Sequence, residues 1–125
     1  MMKLIMIAIG GALGAICRVY GSDWIQQRSY YGIPCGTIAV NLLGALLIGL
    51  CLGYMSARPD MPVWVKFLVV SGGLGGFTTF STCMYEAIEL VLLGQYLHAV
   101  CYIGIQFIAG LVLCFIGISI SKLLV

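Results

Sequence analysis

The chain has 125 residues, of which 62% are hydrophobic and 8% are charged, and its formal net charge is +2 at pH 7. This balance excludes a water-soluble domain, which needs far more polar and charged surface. The few Lys and Arg residues form no cluster, so the sequence offers no electrostatic footprint for binding nucleic acid.

Four apolar segments are long enough to cross a bilayer, which takes about 20 residues. They cover residues 4–20, 33–55, 67–93 and 97–121. The connections are short, so we predict one all-α integral membrane domain over residues 1–125, without an aqueous domain. The first apolar run follows Lys3 as in a secretory signal, but because three more spans come after it, we expect a retained helix.

The first two spans contain glycines and a few polar residues at membrane depth. Arg18 ends the first predicted span, where it either reaches the headgroups or concentrates anions in a vestibule. In the second span, Thr37, Asn41 and Gly44 form a small, polar strip. The Asn41 amide can donate two hydrogen bonds, and we expect it either to join helices or to face an ion.

Glycine pairs at i and i+4 favour close approach of membrane helices. Three such pairs are present: Gly10 with Gly14, Gly49 with Gly53, and Gly72 with Gly76. They indicate helix association, and we interpret them as weak support for a dimer.

The third span contains the sequence SGGLGGFTTFST at residues 71–82. Each glycine costs a helix up to ~1 kcal/mol relative to alanine, so we predict that this helix unwinds at its glycines near mid-membrane. Unwound backbone survives in a bilayer only where protein buries it or a wet cavity adjoins it. Thr78 and Thr79 are predicted to cap the resumed helix.

A polar track follows this break. Thr79, Thr82 and Glu86 lie at i, i+3 and i+7 and therefore share one helix face. A carboxylate inside a membrane is a functional candidate, whereas Glu89, nearer the end of the span, is expected at the interface. The Phe80 ring edge could face an anion, or the ring could simply face lipid or the core.

The fourth span has weakly polar residues at successive i+4 steps: His98, Tyr102, Gln106, Gly110 and Cys114. This stripe predicts either helix packing or the wall of a pore. His98 has no local carboxylate or cysteine partner, and we find no catalytic or metal-ligand pattern, so we predict that the chain is not an enzyme.

Four cations, Lys3, Arg58, Lys66 and Lys122, lie on the side of the membrane that holds both termini, against one or two on the other side. This modest difference favours termini in the cytoplasm but leaves room for insertion in both orientations.

Three segments together resemble the CrcB/Fluc family of fluoride channels: GGALGAICR at 10–18, GTIAVNLLG at 36–44 and GGFTTFST at 75–82. The resemblance implies a passive, fluoride-selective channel in the plasma or inner membrane that confers fluoride resistance. It also implies an antiparallel, dual-topology homodimer with two fluoride pores along the subunit interface. A structural sodium ion would lie on the two-fold axis, held by backbone carbonyls of Gly75 and Thr78 from both chains.

The resemblance also assigns residues to the fluoride pathway. Asn41 would donate its amide to fluoride, Phe80 would present its ring edge, and Arg18 would lie at the vestibule. The remaining pathway residues would be Thr37, Thr79, Ser81, Thr82, Glu86, Tyr102 and Gln106. The sequence departs from the family pattern at Cys83, where a second Phe is usual, and at Gly110, where a hydroxyl is frequent.

Two other functions fit a four-span chain. A proton-coupled small multidrug exporter would need a carboxylate deep in the first span, and residues 4–17 contain none. A membrane assembly subunit without transport activity gives no reason for the threonine-rich run beside the glycines.

Overall fold

A computed structural model describes residues 1–29 and 32–125, and within them it contains helices and no strand. The elements in chain order are α1 (Met2–Gln26), α2 (Cys35–Ser56), α3 (Val63–Val65), a π-helix (Lys66–Leu74), α4 (Gly75–Phe77), α5 (Phe80–Leu92) and α6 (Tyr96–Leu123).

Within residues 1–29 and 32–125, four helical segments are long and apolar enough to span a membrane, as the sequence predicts. They are Met2–Gln26, Cys35–Ser56, Val63–Leu92 and Tyr96–Leu123. At a rise of 1.5 Å per residue, even the shortest is about 33 Å long and can cross a hydrocarbon core of about 30 Å. The chain is therefore a multi-pass membrane protein.

The first helix is longer than the predicted span of residues 4–20. It continues to Gln26, through residues too polar for the hydrocarbon core. A membrane helix keeps its backbone hydrogen bonds in the headgroup region, so polarity alone does not end it. The third segment likewise begins at Val63, before the predicted residue 67.

The prediction that the third span unwinds at its glycines is wrong. Gly72 and Gly73 lie in the π-helix, and Gly75 and Gly76 lie in α4. The residues that leave helical geometry are Thr78 (φ −88°, ψ 155°) and Thr79 (φ −145°, ψ 116°), between α4 and α5.

Packing explains why the glycines stay helical. α1 lies against the π-helix and α4, and the two backbones approach so closely that side chains do not fit. A Cβ added at Gly72 would stand 2.8 Å from the Ile7 carbonyl oxygen, and one at Gly76 would stand 2.6 Å from that of Gly11. Contacts between packed backbones thus outweigh the low intrinsic helix propensity of glycine.

The predicted glycine pairs serve packing inside one chain. A Cβ at Gly10 or Gly14 would overlap backbone carbonyls of the third segment, at Leu68 and Gly73 respectively. Along the interface of α2 with α6, a Cβ at Gly49 would overlap the Cys114 carbonyl, and Gly53 faces Ser121. These pairs are therefore explained without a second copy of the chain.

The buried apolar core lies between α5 and α6. It consists of Cys83, Ala87, Leu90, Ala99 and Tyr102. The chain reverses between these helices at Gly94, whose φ of +74° is a conformation that residues with a side chain rarely adopt. This turn packs α5 against α6 and brings Glu86 beside Tyr102.

Candidate functional site

Thr79 fixes the start of α5. Its Oγ1 accepts a hydrogen bond from the Thr82 backbone N–H at 3.3 Å and donates to Thr82 Oγ1 at 3.0 Å. The cap predicted at Thr79 is therefore confirmed. Thr78 instead donates its hydroxyl back to the Leu74 carbonyl at 3.1 Å, and its methyl group packs where Gly44 has no side chain.

Asn41 links α2 to Thr79, in the extended backbone before α5, and to Gln106 on α6. Its Nδ2 donates to the Thr79 carbonyl at 3.0 Å and to Gln106 Oε1 at 2.7 Å. Its Oδ1 accepts from the Thr79 backbone N–H at 2.8 Å. Both amide hydrogens of Asn41 thus have protein acceptors, and its two bonds to Thr79 replace helical bonds that the extended backbone has lost.

A second set of bonds surrounds Glu86. Thr37 Oγ1 donates to Glu86 Oε1 at 3.0 Å, and the Tyr102 hydroxyl makes a short hydrogen bond to Glu86 Oε2. Gln106 Nε2 donates to the Tyr102 carbonyl at 3.3 Å, which connects this set to Asn41. Thr37 is only 4% exposed and Tyr102 is fully buried, so these bonds form away from bulk lipid and water.

Together these side chains form one connected group, which we call the polar network. Its members are Thr37, Asn41, Thr79, Thr82, Glu86, Tyr102 and Gln106. In the part of the chain that the structure describes, no buried side-chain nitrogen or oxygen lacks a hydrogen-bond partner. Polar groups of this kind are costly at membrane depth unless they are paired, and here they pair with one another.

Arg18 lies about two turns before the end of α1 rather than at its end. α1 continues to Gln26, and the half-buried Arg18 donates from Nε to the Gly76 carbonyl at 3.1 Å. A carbonyl near the end of α4 has negative partial charge, which the guanidinium balances. Arg18 thus borders the polar network.

Three cavities adjoin the polar network. The large cavity, about 500 Å³, is lined by Asn41, Thr79, Phe80 and Gln106 among others. The small cavity, about 190 Å³, is lined by Arg18, Val19, Ser22, Asp23, Thr37, Val40, Thr79, Thr82 and Glu86. The acidic cavity, about 390 Å³, is lined by Ser22, Asp23, Gln26, Gly32, Ile33, Pro34, Thr37, Glu86 and Glu89.

Neighbouring cavities share some of their lining residues. Thr79 lines both the large and the small cavity, while Thr37 and Glu86 line both the small and the acidic cavity. The acidic cavity includes Gly32 and Pro34, next to the loop between α1 and α2, so it lies at one edge of the membrane. Hydroxyl, amide and charged groups therefore extend from the interior of the helix bundle to that edge.

Phe80 is 68% exposed and borders the large cavity, beside Cys83 and Gly110. Ser81, the next residue, is exposed on α5 and lines none of these three cavities. Phe80 is therefore next to the polar network, whereas Ser81 lies apart from it in the single chain.

Near the junction of α4 and α5, the carbonyls of Gly75 and Thr78 do not receive the hydrogen bonds that a continuous helix would give them. The N–H of Thr79 would bond Gly75 in a continued helix but donates to Asn41, and the N–H of Thr82 would bond Thr78 but donates to Thr79 Oγ1. Gly75 and Thr78 also line the large cavity. Two carbonyls of this kind are suitable ligands for a hard cation.

The structure thus brings most of the predicted site residues together, and it adds one that the sequence did not indicate. Gln26 accepts a hydrogen bond from the Gly36 N–H at 3.1 Å and donates to the Ile33 carbonyl at 3.3 Å, next to Thr37. The only sequence feature that indicated a distant partner was the start of α2 after Pro34, which has no side chain that can cap the helix. Nothing in the sequence says that α1 supplies the partner.

The fold and the site define a multi-pass membrane protein with a connected polar network inside its helix bundle. A family model described as "CrcB-like protein, Camphor Resistance (CrcB)" matches residues 5–118. The chain belongs to the CrcB family, and the resemblance inferred from its three motifs is confirmed.

Curated relatives match over nearly the whole chain. A protein of Maridesulfovibrio salexigens is 37% identical over 125 residues, covering 100% of this chain and 99% of the relative. One of Citrifermentans bemidjiense is 38% identical over 124 residues, covering 99% and 100%. One of Leptospira interrogans is 39% identical over 121 residues, covering 96% and 94%. All three are named "Fluoride-specific ion channel FluC". The family is thus one of ion channels, which confirms the prediction that the chain is not an enzyme.

Proposed function

We propose that this protein is a fluoride-selective channel that exports cytoplasmic fluoride passively and so confers fluoride resistance. The observation that supports this function most is the polar network, which adjoins three cavities. Thr79 lines the large and the small cavity, and Thr37 and Glu86 line the small and the acidic cavity. The full-length relatives named as fluoride channels support the choice of ion.

Selectivity would come from hydrogen-bond donors in a narrow, rigid pathway. Fluoride is small and gives up its hydration water reluctantly, so only strong, preorganised donors can replace that water. Asn41 can supply an amide hydrogen if the ion takes the place of Gln106 Oε1, now 2.7 Å from Asn41 Nδ2. The Thr82 hydroxyl and the positive edge of the Phe80 ring add further contacts.

Arg18 and Glu86 place opposite charges beside the pathway. The Arg18 guanidinium lines the small cavity and would raise the local concentration of anions. The Glu86 carboxylate would repel them, but both of its oxygens accept hydroxyl hydrogen bonds, from Thr37 and Tyr102. We therefore assign Glu86 the task of orienting these hydroxyls rather than of binding the ion.

Passive export needs no coupled energy source. Fluoride enters a cell as the neutral weak acid and ionises in the more alkaline cytoplasm, after which the ion cannot recross lipid unaided. An inside-negative potential drives each anion outward by about 2.3 kcal/mol per 100 mV. We therefore propose that the protein lies in the plasma or inner membrane.

The assembly we propose is an antiparallel dimer of two copies in opposite orientations. The large cavity is open on one side, and a second copy would close it against Phe80 and Gln106. The extended pair Thr78 and Thr79 would then lie near mid-membrane as the break in the third helix. The inverted copy would give two pathways, each open to both sides of the membrane.

A structural sodium ion fits the carbonyls of Gly75 and Thr78. Their usual helical donors, the N–H groups of Thr79 and Thr82, donate to side-chain oxygens instead. Sodium supplies positive charge that neutralises carbonyl dipoles brought together from two chains. In this role it holds the dimer together and does not move with fluoride.

The experiment that tests the function is fluoride efflux from liposomes containing the purified protein, with chloride as the control anion. We expect fast fluoride efflux and no chloride efflux above that of empty liposomes. Absence of fluoride efflux, or equal efflux of both anions, would contradict the proposed function.

Matched variants test the pathway residues in the same assay. Asn41→Ala and Phe80→Ile should each lower fluoride efflux by at least about tenfold, the loss expected when one interaction of about 1.4 kcal/mol is removed from the transported ion. Ser119→Ala and Phe115→Ile are the controls. Ser119 donates to a carbonyl of its own helix, and neither Ser119 nor Phe115 lines any of the three cavities beside the polar network, although Phe115 is as exposed as Phe80. Unchanged efflux in both pathway variants would remove these residues from the pathway.

A small multidrug exporter is the alternative that the same liposomes can test. Its mechanism needs a carboxylate deep in the first span, and the first one in α1 is Asp23, near the end of the helix. Proton-driven uptake of a cationic dye without fluoride efflux would favour the exporter. An assembly subunit would give neither activity.

A further inference from the structure

A fourth cavity, which we call the basic cavity, lies at the opposite edge of the membrane from the acidic cavity. It has a volume of about 310 Å³ and is lined by residues of the end of α2, the following loop and the start of the third segment. Arg58 and Lys66 supply two positive charges, and Leu52, Met55 and Met61 supply apolar surface. The fluoride pathway does not use it.

The position of this cavity is fixed by the two spans that flank it. α2 ends at Ser56 and the next segment begins at Val63, so the loop between them emerges at the membrane surface. α2 alone is long enough to cross the hydrocarbon core, which puts Arg58 at the depth of lipid headgroups. Trp64, at the start of the third segment, is 41% exposed, as is typical of aromatic residues at this interface.

Most of the charged side chains at this edge of the membrane are positive. Lys3 and Lys122 accompany Arg58 and Lys66 there, and Asp60, the one acid of the loop, does not line the cavity. At the other edge, Asp23 and Glu89 outnumber Arg28. The edge of the basic cavity therefore attracts anions more strongly than the opposite edge does.

The Arg58 side chain is held toward this surface by an aromatic contact. Its Cζ lies 5.4 Å from the centre of the Tyr54 ring, one turn earlier on α2. Arg58 is exposed, so its N–H groups are accessible to an anion. Lys66 is likewise exposed and lines the same cavity.

We infer that the basic cavity binds the headgroup of an anionic phospholipid, with the phosphate between Arg58 and Lys66. Basic pockets between membrane helices are typical sites for such headgroups. The methionine and leucine side chains that line the cavity fit the beginning of an acyl chain, which free phosphate lacks. This inference does not depend on the transported ion.

Native mass spectrometry of the full chain, released from micelles with equal phosphatidylglycerol and phosphatidylcholine, tests the site. We expect the protein to retain phosphatidylglycerol preferentially. The double variant Arg58→Gln, Lys66→Gln should lower that retention about thirtyfold, from roughly 1 kcal/mol for each of the two cations near the surface. The double variant Arg58→Lys, Lys66→Arg keeps both charges and should keep the lipid.

The matched control is the double variant Lys3→Gln, Lys122→Gln, which removes two charges from the same edge without changing the basic cavity. We expect it to retain the lipid within about twofold. Equal loss in both charge-removing variants would overturn the inference, because diffuse attraction would then explain binding. Displacement of the lipid by millimolar inorganic phosphate would also overturn it, since the site would then bind the free anion.

Discussion

At the scale of single residues, hydrogen bonds to Glu86 allow Thr37, Tyr102 and Glu86 itself to lie inside a membrane domain. Its two carboxylate oxygens accept from hydroxyls of two other helices, Thr37 on α2 and Tyr102 on α6. An isolated carboxylate would be very costly there, and each hydroxyl would lose its partner without it. Glu86 therefore stabilises the fold as well as the pathway that we propose.

The contribution of the Tyr102 hydroxyl to stability can be tested by removing its oxygen atom. Tyr102→Phe leaves the buried ring in place but deprives Glu86 of a donor, so we expect the free energy of unfolding to fall by about 1–3 kcal/mol. Tyr96→Phe is the control, because Tyr96 is 65% exposed at the start of the same helix. Chemical unfolding in detergent, followed by circular dichroism, measures the difference. Equal stability of the two variants would show that the short Tyr102 bond contributes nothing.

At the scale of the elements, glycine determines how α1 packs against the third segment. Gly10 and Gly14 meet backbone atoms of the π-helix, and Gly72 and Gly76 meet those of α1. The close approach lets Arg18 reach the Gly76 carbonyl at 3.1 Å. A wider interhelical distance would break that bond, so the glycines position a charged group beside the network.

Two alanine substitutions on α1 separate this packing effect from helix propensity. Gly14→Ala would place a Cβ against the Gly73 backbone, which no change of rotamer can relieve, so we expect a net loss of about 1–3 kcal/mol in unfolding free energy. Gly11→Ala meets no atom within 4 Å and should gain up to about 1 kcal/mol from the better helix former. Unfolding in detergent compares them, and a stabilised Gly14→Ala would contradict this packing.

At the scale of the whole molecule, charged side chains are few, and they are distributed unevenly between the two edges of the membrane. Four cations and Asp60 lie at the edge of the basic cavity, and Arg28 with Asp23 and Glu89 lies at the other. Cationic loops favour the cytoplasm, and so small an excess gives only a weak preference for one orientation. The proposed antiparallel dimer needs both orientations.

Reporter fusions at the C-terminus test this proposal directly. A reporter active only in the cytoplasm and one active only outside should both give signal when fused after Val125, in comparable amounts. Adding two lysines to the loop between α2 and α3 should shift the population toward cytoplasmic termini and reduce fluoride efflux, because inverted partners become scarce. A signal from one reporter alone in the unaltered chain would rule out dual insertion.

The sequence by itself determined the membrane class, the four spans and the cap at Thr79, because hydrophobic length and capping depend on neighbours along the chain. Its motifs also identified the family. Only the tertiary structure decided that the glycines stay helical and that both Asn41 donors are occupied. The Asn41 bonds join residues 38 and 65 positions apart, and local propensity has no information about such partners. Backbone contacts between packed helices outweigh the intrinsic cost of each glycine, and that balance exists only once the helices meet.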